Sequence, residues 1–316
     1  MARVSIYGTG QLGKSVAKLL REVPAHEVLG PFHRNQRKEA LCSGADVVII
    51  ATTTRLKDVS EDIELAVISG SNVLVSAEEC AYPWAVDVVL SDKLDALAKS
   101  KGVSIAGAGV NPGLIFDSLV LTLMGAAPRG CTVAVRRTVS IAGFGSTVLR
   151  RIGLGKNPEA FSDAVAREEI LGHAGFPQSM QVVASAMGLK IESIKKDLLP
   201  LIAEREIDLP GRFIVAAGES AGVNQTYTAY VEGKPWFTSH FYGHVDLPGI
   251  GKSAMDEIEL SLNGGVFQRI QLSPGIDSQI GSQNMVANSI QRIINVRSGW
   301  ITVADMEPAY PESTAR

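Results

Sequence analysis

Two adjacent carboxylates, Glu78 and Glu79, follow the apolar run Val73-Leu74-Val75 in the stretch VLVSAEECAYPWAVD. A plain turn is better served by Gly, Asn or Asp. A glutamate pair at a strand exit is therefore either a solvated loop or a proton-transfer group, which can take a proton from a nucleophile and return one to a leaving group. Tyr82 and Trp84 stand beside the pair. Their large amphipathic rings suit either the wall of a substrate pocket or interdomain packing.

A second set opens the chain. Val4 to Tyr7 reads as a short strand, followed by Gly8-Thr9-Gly10-Gln11-Leu12-Gly13 and then by a helical pattern with Leu12, Val16, Leu19 and Leu20 on one face. A G-x-G-x-x-G string alone is weak evidence; between a strand and a helix it is the fingerprint of a dinucleotide loop. The first glycine permits the tight turn, the second lets the backbone approach a pyrophosphate, and the third lets helix and strand pack closely. The helix N-terminus then offers N–H groups to the phosphates.

The end of the second strand separates NAD from NADP. An acid there holds the ribose 2′-hydroxyl, whereas an arginine takes a 2′-phosphate. The sequence reads GPFHRNQRKEA, with no acid before Glu39 and with Arg34 nearest the expected position, Asn35 beside it. Arg37 and Lys38 lie beyond and also suit a helix surface; NADP is the preferred cofactor and NAD the alternative.

The elements that must position these residues alternate. The all-apolar run ADVVIIATTT, the strand NVLVS and the strand VSIAGAGV are separated by helical segments, the last closed by Gly102. This is the pattern of a parallel sheet covered on both faces. Thr52, Thr53, Ser76 and Asn111 fall on the carboxyl rim of that sheet and join the glycine loop as cofactor-binding candidates. Asn111 also reads as a helix cap with Pro112 in the first turn. Beyond residue 109 the texture changes to strands alternating apolar and polar, interrupted by helical segments near 158–171 and 177–188 and closed by a helix over 282–296. The expectation is an α/β protein. A Rossmann-type domain spans 1–109 and is completed by 277–316; an α+β domain with a mostly antiparallel sheet spans 110–276.

Composition narrows the classes. With 316 residues, 46% hydrophobic, 20% charged and a net charge of -3, the chain suits a globular protein and offers no basic block for nucleic acid or an anionic membrane. The start enters a strand at once and leaves no room for a signal peptide, and Cys42, Cys80 and Cys131 form no C-x-x-C pattern, so a cytoplasmic setting is expected. The histidines make no zinc pattern, and no metal is expected. His240 and His244, four apart in a predicted strand, share a face and either line a substrate cavity or serve the fold.

The pieces SAEECAYPW, GAGVNPGLIFDSLVLTLMGA and VRRTVSIAGFGSTVLRRIGLGKNP resemble the 2,4-diaminopentanoate dehydrogenases and native amine dehydrogenases, whose first domain is similar to that of dihydrodipicolinate reductase. The resemblance covers most of the chain and is weakest over about 176–212. It implies NAD(P)-dependent interconversion of a small amine with a ketone or aldehyde plus ammonia, a homodimer, and a second domain that binds substrate and dimerises. It places the essential carboxylate on Glu78 or Glu79, with Glu78 nearer the strand end. Dihydrodipicolinate reductases carry an adjacent histidine pair, which this chain lacks. An imine or carbonyl reductase and a non-catalytic NADP-sensing protein are the alternatives; dependence on ammonia and turnover of cofactor separate them.

Overall fold

The computed structural model describes residues 1–22 and 26–311. Two compact units emerge: Met1–Leu121 with Pro177–Gly188 and Ser278–Arg316, and Thr122–Phe176 with Leu189–Asp277. The division falls after Leu121, not at 109, and residues 177–188 group with the first unit. A physical reason is the buried Asp117, which accepts a hydrogen bond from Ser179 Oγ at 2.9 Å and so ties the 109–118 loop to that helix.

The first unit begins with β1 (Ala2–Tyr7), α1 (Gln11–Arg21), β2 (His26–Phe32), α2 (Arg37–Leu41), β3 (Val47–Ile50) and α3 (Leu56–Ile68). It continues through β4 (Asn72–Val75), α4 (Val88–Lys101), β5 (Ser104–Gly107) and α5 (Ser118–Met124), which crosses into the second unit. There follow β6 (Thr132–Ser140), α6 (Ser146–Arg151), α7 (Pro158–Ala166), α8 (Phe176–Ala186), β7 (Ser193–Ile202), β8 (Ile207–Leu209) and β9 (Phe213–Val215). The chain then runs β10 (Ser220–Val231), β11 (Lys234–His244), β12 (Met255–Leu262) and β13 (Gly265–Leu272), and returns to the first unit with α9 (Ser278–Ala287), α10 (Ile290–Asn295) and β14 (Gly299–Ile301).

The first sheet has the order β14-β5-β4-β3-β1-β2 and is parallel throughout. Its strands are apolar on both faces because both are covered. Val48, Ile50, Val73 and Val75 pack with Leu56, Ile63 and Leu94 of α3 and α4. Val47, Ile49 and Leu74 pack with Val16 and Leu20 of α1 and Ile290 of α10. Asp87 caps α4 by accepting from Leu90 N at 2.9 Å, and Gly102 ends it in the left-handed conformation at φ +69°.

The second sheet runs β13-β12-β6-β11-β10-β7, antiparallel except for the β6–β11 pair. One face of β10 and β11 buries Val223, Tyr227, Phe237 and Phe241, and the other leaves Thr226, Thr228, His240 and Tyr242 half-exposed.

Two expectations need correction, and several strands lack a clear sequence signal. No helix starts at Asn111: residues 110–117 form turns, with Gly113 at φ +128°, and α5 begins at Ser118. The closing helix is two, broken at Asn288 and Ser289. Strands β7, β13 and β14 do not stand out in the sequence; β7 carries Lys195, Lys196, Asp197 and Pro200, residues that an edge strand tolerates. Among the described residues no helix is long and apolar enough to cross a membrane.

Candidate functional site

The glycine loop forms where β1 meets α1. Gly8 N donates to Phe32 O at 3.0 Å, and Ala51 N donates to Tyr7 O at 2.8 Å, which fixes the loop between β2 and β3. Gly8 sits at φ +129°, and a Cβ there would lie 2.2 Å from Ala51 O; at Gly13 a Cβ would lie 2.0 Å from Gly8 O. Both are glycine because backbone passes too close. Gly10 differs: a Cβ would meet nothing within 4 Å. Packing does not demand a glycine there, and the space is what a pyrophosphate approaching the α1 N-terminus would use. The residues present therefore fit a dinucleotide. Thr9 and Leu12 lie in the same loop and first turn, and Gln11 Nε2 donates to Gln279 Oε1 on α9.

At the end of β2 the arginines divide. Arg37 Nε meets Asp62 Oδ1 at 2.5 Å, and its Nη2 lies 3.5 Å from Glu61. That hydrogen bond holds its guanidinium charged even more firmly than usual. Arg34 opens the short 3-10 turn after β2 and is exposed, and among the described residues no carboxylate pairs with it. Asn35 Oδ1 lies 3.2 Å from His33 Nδ1, so it serves the turn itself.

The glutamates form the 3-10 turn Glu78–Ala81 directly after β4. Glu79 N donates to Thr54 O at 3.3 Å, and Glu79 Oε2 accepts from Leu56 N at 2.7 Å. Leu56 is the first residue of α3, so the Glu79 carboxylate satisfies one of the otherwise open N–H groups of that helix and complements its dipole. Two contacts brace the turn: Trp300 Nε1 donates to Cys80 O at 3.1 Å, and Gly107 passes so close that a Cβ would sit 2.6 Å from Ala81 N. Cys80 is fully buried, and burial pushes its thiol far up, which leaves it inert as a nucleophile. Glu78 and Glu79 are both half-exposed. Ser76 N donates to Ile50 O at 3.0 Å, and Thr53 Oγ1 lies 3.5 Å from Asp58 Oδ2. Thr52, Ser76 and the glutamate turn thus share the carboxyl rim with the glycine loop.

Tyr82 and Trp84 line a cavity of about 570 Å³ together with Trp300, Arg297, Thr302 and Asp305. Tyr82 and Trp84 ring centroids are 5.5 Å apart, those of Trp84 and Trp300 6.3 Å, and Trp84 Nε1 donates to Asp92 at 2.8 Å. Neither glutamate lines this cavity. Trp300 and Gly107 are support residues that sequence reasoning missed; a late isolated tryptophan and the AGAG run were the available signals.

His240 and His244 lie on β11 in the second unit. His240 Nε2 is 2.6 Å from Asn224 Oδ1, an acceptor that selects the Nε2–H tautomer. Burial, then Arg136 and Lys252, hold its pKa below the usual histidine value. His244 is buried and accepts from Asp246 N through Nδ1 at 3.0 Å, and burial lowers its pKa too. Both make bonds that serve the sheet and its exit. Asn111 is different: neither Oδ1 nor Nδ2 finds a partner although both atoms are buried.

The parallel sheet, the loop over Gly10 and the carboxylate turn on the same rim define an NAD(P)-dependent dehydrogenase. Residues 114–313 match the model of the 2,4-diaminopentanoate dehydrogenase C-terminal domain, and the chain belongs to that family. The 2,4-diaminopentanoate dehydrogenase of Acetoanaerobium sticklandii is 29% identical over 330 residues, covering 96% of this chain and 93% of that one. Among solved structures, an amine dehydrogenase from Mycobacterium smegmatis superposes with a TM-score of 0.85 at 21% identity, over 98% of this chain and 97% of its own. A dipicolinate-bound dihydrodipicolinate reductase from Paenisporosarcina sp. TG-14 gives 0.52 at 13% identity, over 96% and 97%. These two are likenesses of fold.

Proposed function

We propose that the protein is an NAD(P)H-dependent amine dehydrogenase that interconverts a small amine with a ketone or aldehyde plus ammonia. The observation that carries the reading is the division of labour in the glutamate pair. Both glutamates are half-exposed in the turn after β4, on the same rim as the dinucleotide loop; Glu79 Oε2 caps α3, and Glu78 is the member nearer the strand end.

When bound, the nicotinamide supplies or accepts the hydride. The protein must supply the rest. Reductive amination needs ammonia in its neutral form, loss of water from the carbinolamine, and support for a cationic iminium. Glu78 is assigned all three: it accepts a proton from ammonium, returns one to the departing hydroxyl and balances the iminium charge. Glu79 acts as the fixed neighbour that holds the turn.

Gly8, Gly10 and Gly13 shape the phosphate loop, and Arg34 takes the 2′-phosphate, so NADP is preferred over NAD. Because Arg37 is committed to Asp62, Arg34→Ala is expected to weaken NADPH far more than NADH; equal losses would mean that Arg34 is a surface charge. Tyr82 and Trp84 are retained as pocket-wall candidates, a cytoplasmic setting is retained, and the expected homodimer is testable by light scattering. The reading as a whole is tested with a panel of small ketones and aldehydes, ammonium and NADPH. Cofactor oxidation that requires ammonium supports it. Oxidation without ammonium points to a carbonyl reductase, and no oxidation with any substrate points to a sensing protein.

A further inference from the structure

A buried amide with no partner is costly. Leaving a donor or acceptor unsatisfied in the interior forfeits its hydration without return, so native chains tolerate it where a partner arrives later. Asn111 carries one such donor and one such acceptor, both buried.

Its position is fixed without help from its own side chain. Leu114 N and Ile115 N both reach Val110 O at 3.1 Å. Gly113 N donates to Asp117 Oδ2 at 2.8 Å, Ser118 N to Asp117 Oδ1 at 2.8 Å, and Ser179 Oγ closes the set on the fully buried Asp117. Gly113, at φ +128°, passes so close that a Cβ would lie 2.2 Å from Gly109 O. The loop is rigid on both sides of Asn111, and the chain has spent a buried carboxylate to make it so.

The loop leaves β5, and β5 ends against the glutamate turn through the Gly107–Ala81 approach. In the sheet order, β5 and β4 lie on the opposite side of β1 from β2. A dinucleotide whose adenosine half is read at the end of β2 by Arg34 therefore extends its other half toward β4 and β5. Of the groups the nicotinamide half carries, the ring's carboxamide offers an acceptor and a donor side by side, the complement of an asparagine amide.

We infer that Asn111 binds the carboxamide of the nicotinamide ring and so sets which part of the ring faces Glu78, with Asp117 as the positioning residue beneath it. This rests on the dinucleotide reading above and adds the moiety that Asn111 recognises.

The test compares a whole cofactor with one lacking nicotinamide. NADP⁺ and 2′-phospho-ADP-ribose are titrated calorimetrically into the wild type, Asn111→Ala and Asn111→Leu, with NAD⁺ and ADP-ribose beside them. The variants are expected to lose roughly tenfold or more for the dinucleotides while holding the fragments within about twofold. The wild type should favour NADP⁺ over its 3-acetylpyridine analogue, which lacks the amide N–H, and the variants should lose that preference. Without ligand, Asn111→Leu should unfold no earlier than the wild type, because it removes an orphan amide and keeps the volume; a purely structural asparagine would cost stability instead. Equal losses for dinucleotide and fragment, unchanged dinucleotide affinity, or an effect confined to the ketone KM would overturn the inference. Wild-type protein that binds the fragments but gains nothing from the nicotinamide would overturn it as well. Failure to bind any of the ligands would instead overturn the dinucleotide reading on which it rests.

Discussion

The rim of the parallel sheet is shaped mainly by side chains that are absent, whereas the mixed sheet of the second unit is organised by charged side chains packed inside it. At the rim, Gly8, Gly13 and Gly107 exist because backbone atoms lie about where a Cβ would be, and only Gly10 opens onto space. In the second unit, Arg137 and Asp256 form an ion pair at 3.0 Å with side chains 1% and 2% exposed, and Arg137 Nη2 also donates to Ile276 O at 2.7 Å. Burial pushes the Asp256 carboxyl up and the Arg137 guanidinium down, opposing the pair's own attraction. Such a pair adds little net stability yet is expensive to break. Close backbone approach shapes the rim, whereas a buried ion pair crosses two strands of the mixed sheet.

Four changes would break or sharpen this contrast. The largest loss is expected in the second unit: Arg137→Ala leaves Asp256 buried without its partner and should cost about 3–5 kcal/mol in urea unfolding. A cost below about 1 kcal/mol would mean the sheet does not depend on the pair. Next, Gly13→Ala should cost roughly 1–3 kcal/mol because the loop must move to admit a Cβ. Gly10→Ala should leave the thermal midpoint of the free protein unchanged and weaken dinucleotide binding instead. Identical behaviour of the two would erase the distinction between packing and ligand glycines. Third, Glu79→Ala should cost about 1 kcal/mol through the lost bond to Leu56 N. A larger loss of activity than of stability at this position would transfer the catalytic assignment to Glu79.

The smallest effect is one of pH. His240 and His244 both titrate below the usual histidine value in the fold, chiefly through burial. The unfolded chain takes up those protons first as pH falls through about 6.5, so stability should decline below that pH. Urea midpoints at pH 7.5 and 5.5 should differ in the wild type and converge in a His240→Gln, His244→Gln double variant. No narrowing of the gap would mean that other groups govern the dependence.

Much of the first unit was legible because its signals are local. The glycine string, the apolar strand runs, Asp87 before α4 and Gly102 after it each act within a few residues. The glutamate pair was legible as a candidate site, but its internal division was not. Glu79 reaches Leu56 N, 23 residues away, a bond that no spacing reveals. The turn after β5 was misread as a helix because Asn111 and Pro112 suit a helix start, while Asp117 and Gly113 impose turns. The edge strands β7 and β13 were missed because an edge tolerates the lysines, arginine and proline that blur strand periodicity. Trp300 was missed for a related reason: β14 is three residues long, and its meaning lies in a hydrogen bond to Cys80, 220 residues away.

The two adjacent glutamates are assigned different offices, Glu78 in proton transfer and Glu79 in the helix cap. That assignment is tested most directly by measuring ammonia-dependent reduction of the best ketone substrate in Glu78→Gln and Glu79→Gln, alongside NADPH affinity and thermal midpoint. Glu78→Gln is predicted to lose roughly a hundred- to ten-thousand-fold in kcat with cofactor affinity and midpoint unchanged, because Gln keeps the shape but can neither accept the proton nor balance the iminium. Glu79→Gln is predicted to keep most of its activity, since a Gln oxygen still accepts from Leu56 N. Near-wild-type turnover by Glu78→Gln, or a loss in Glu79→Gln as large as that in Glu78→Gln without loss of stability, would contradict the account.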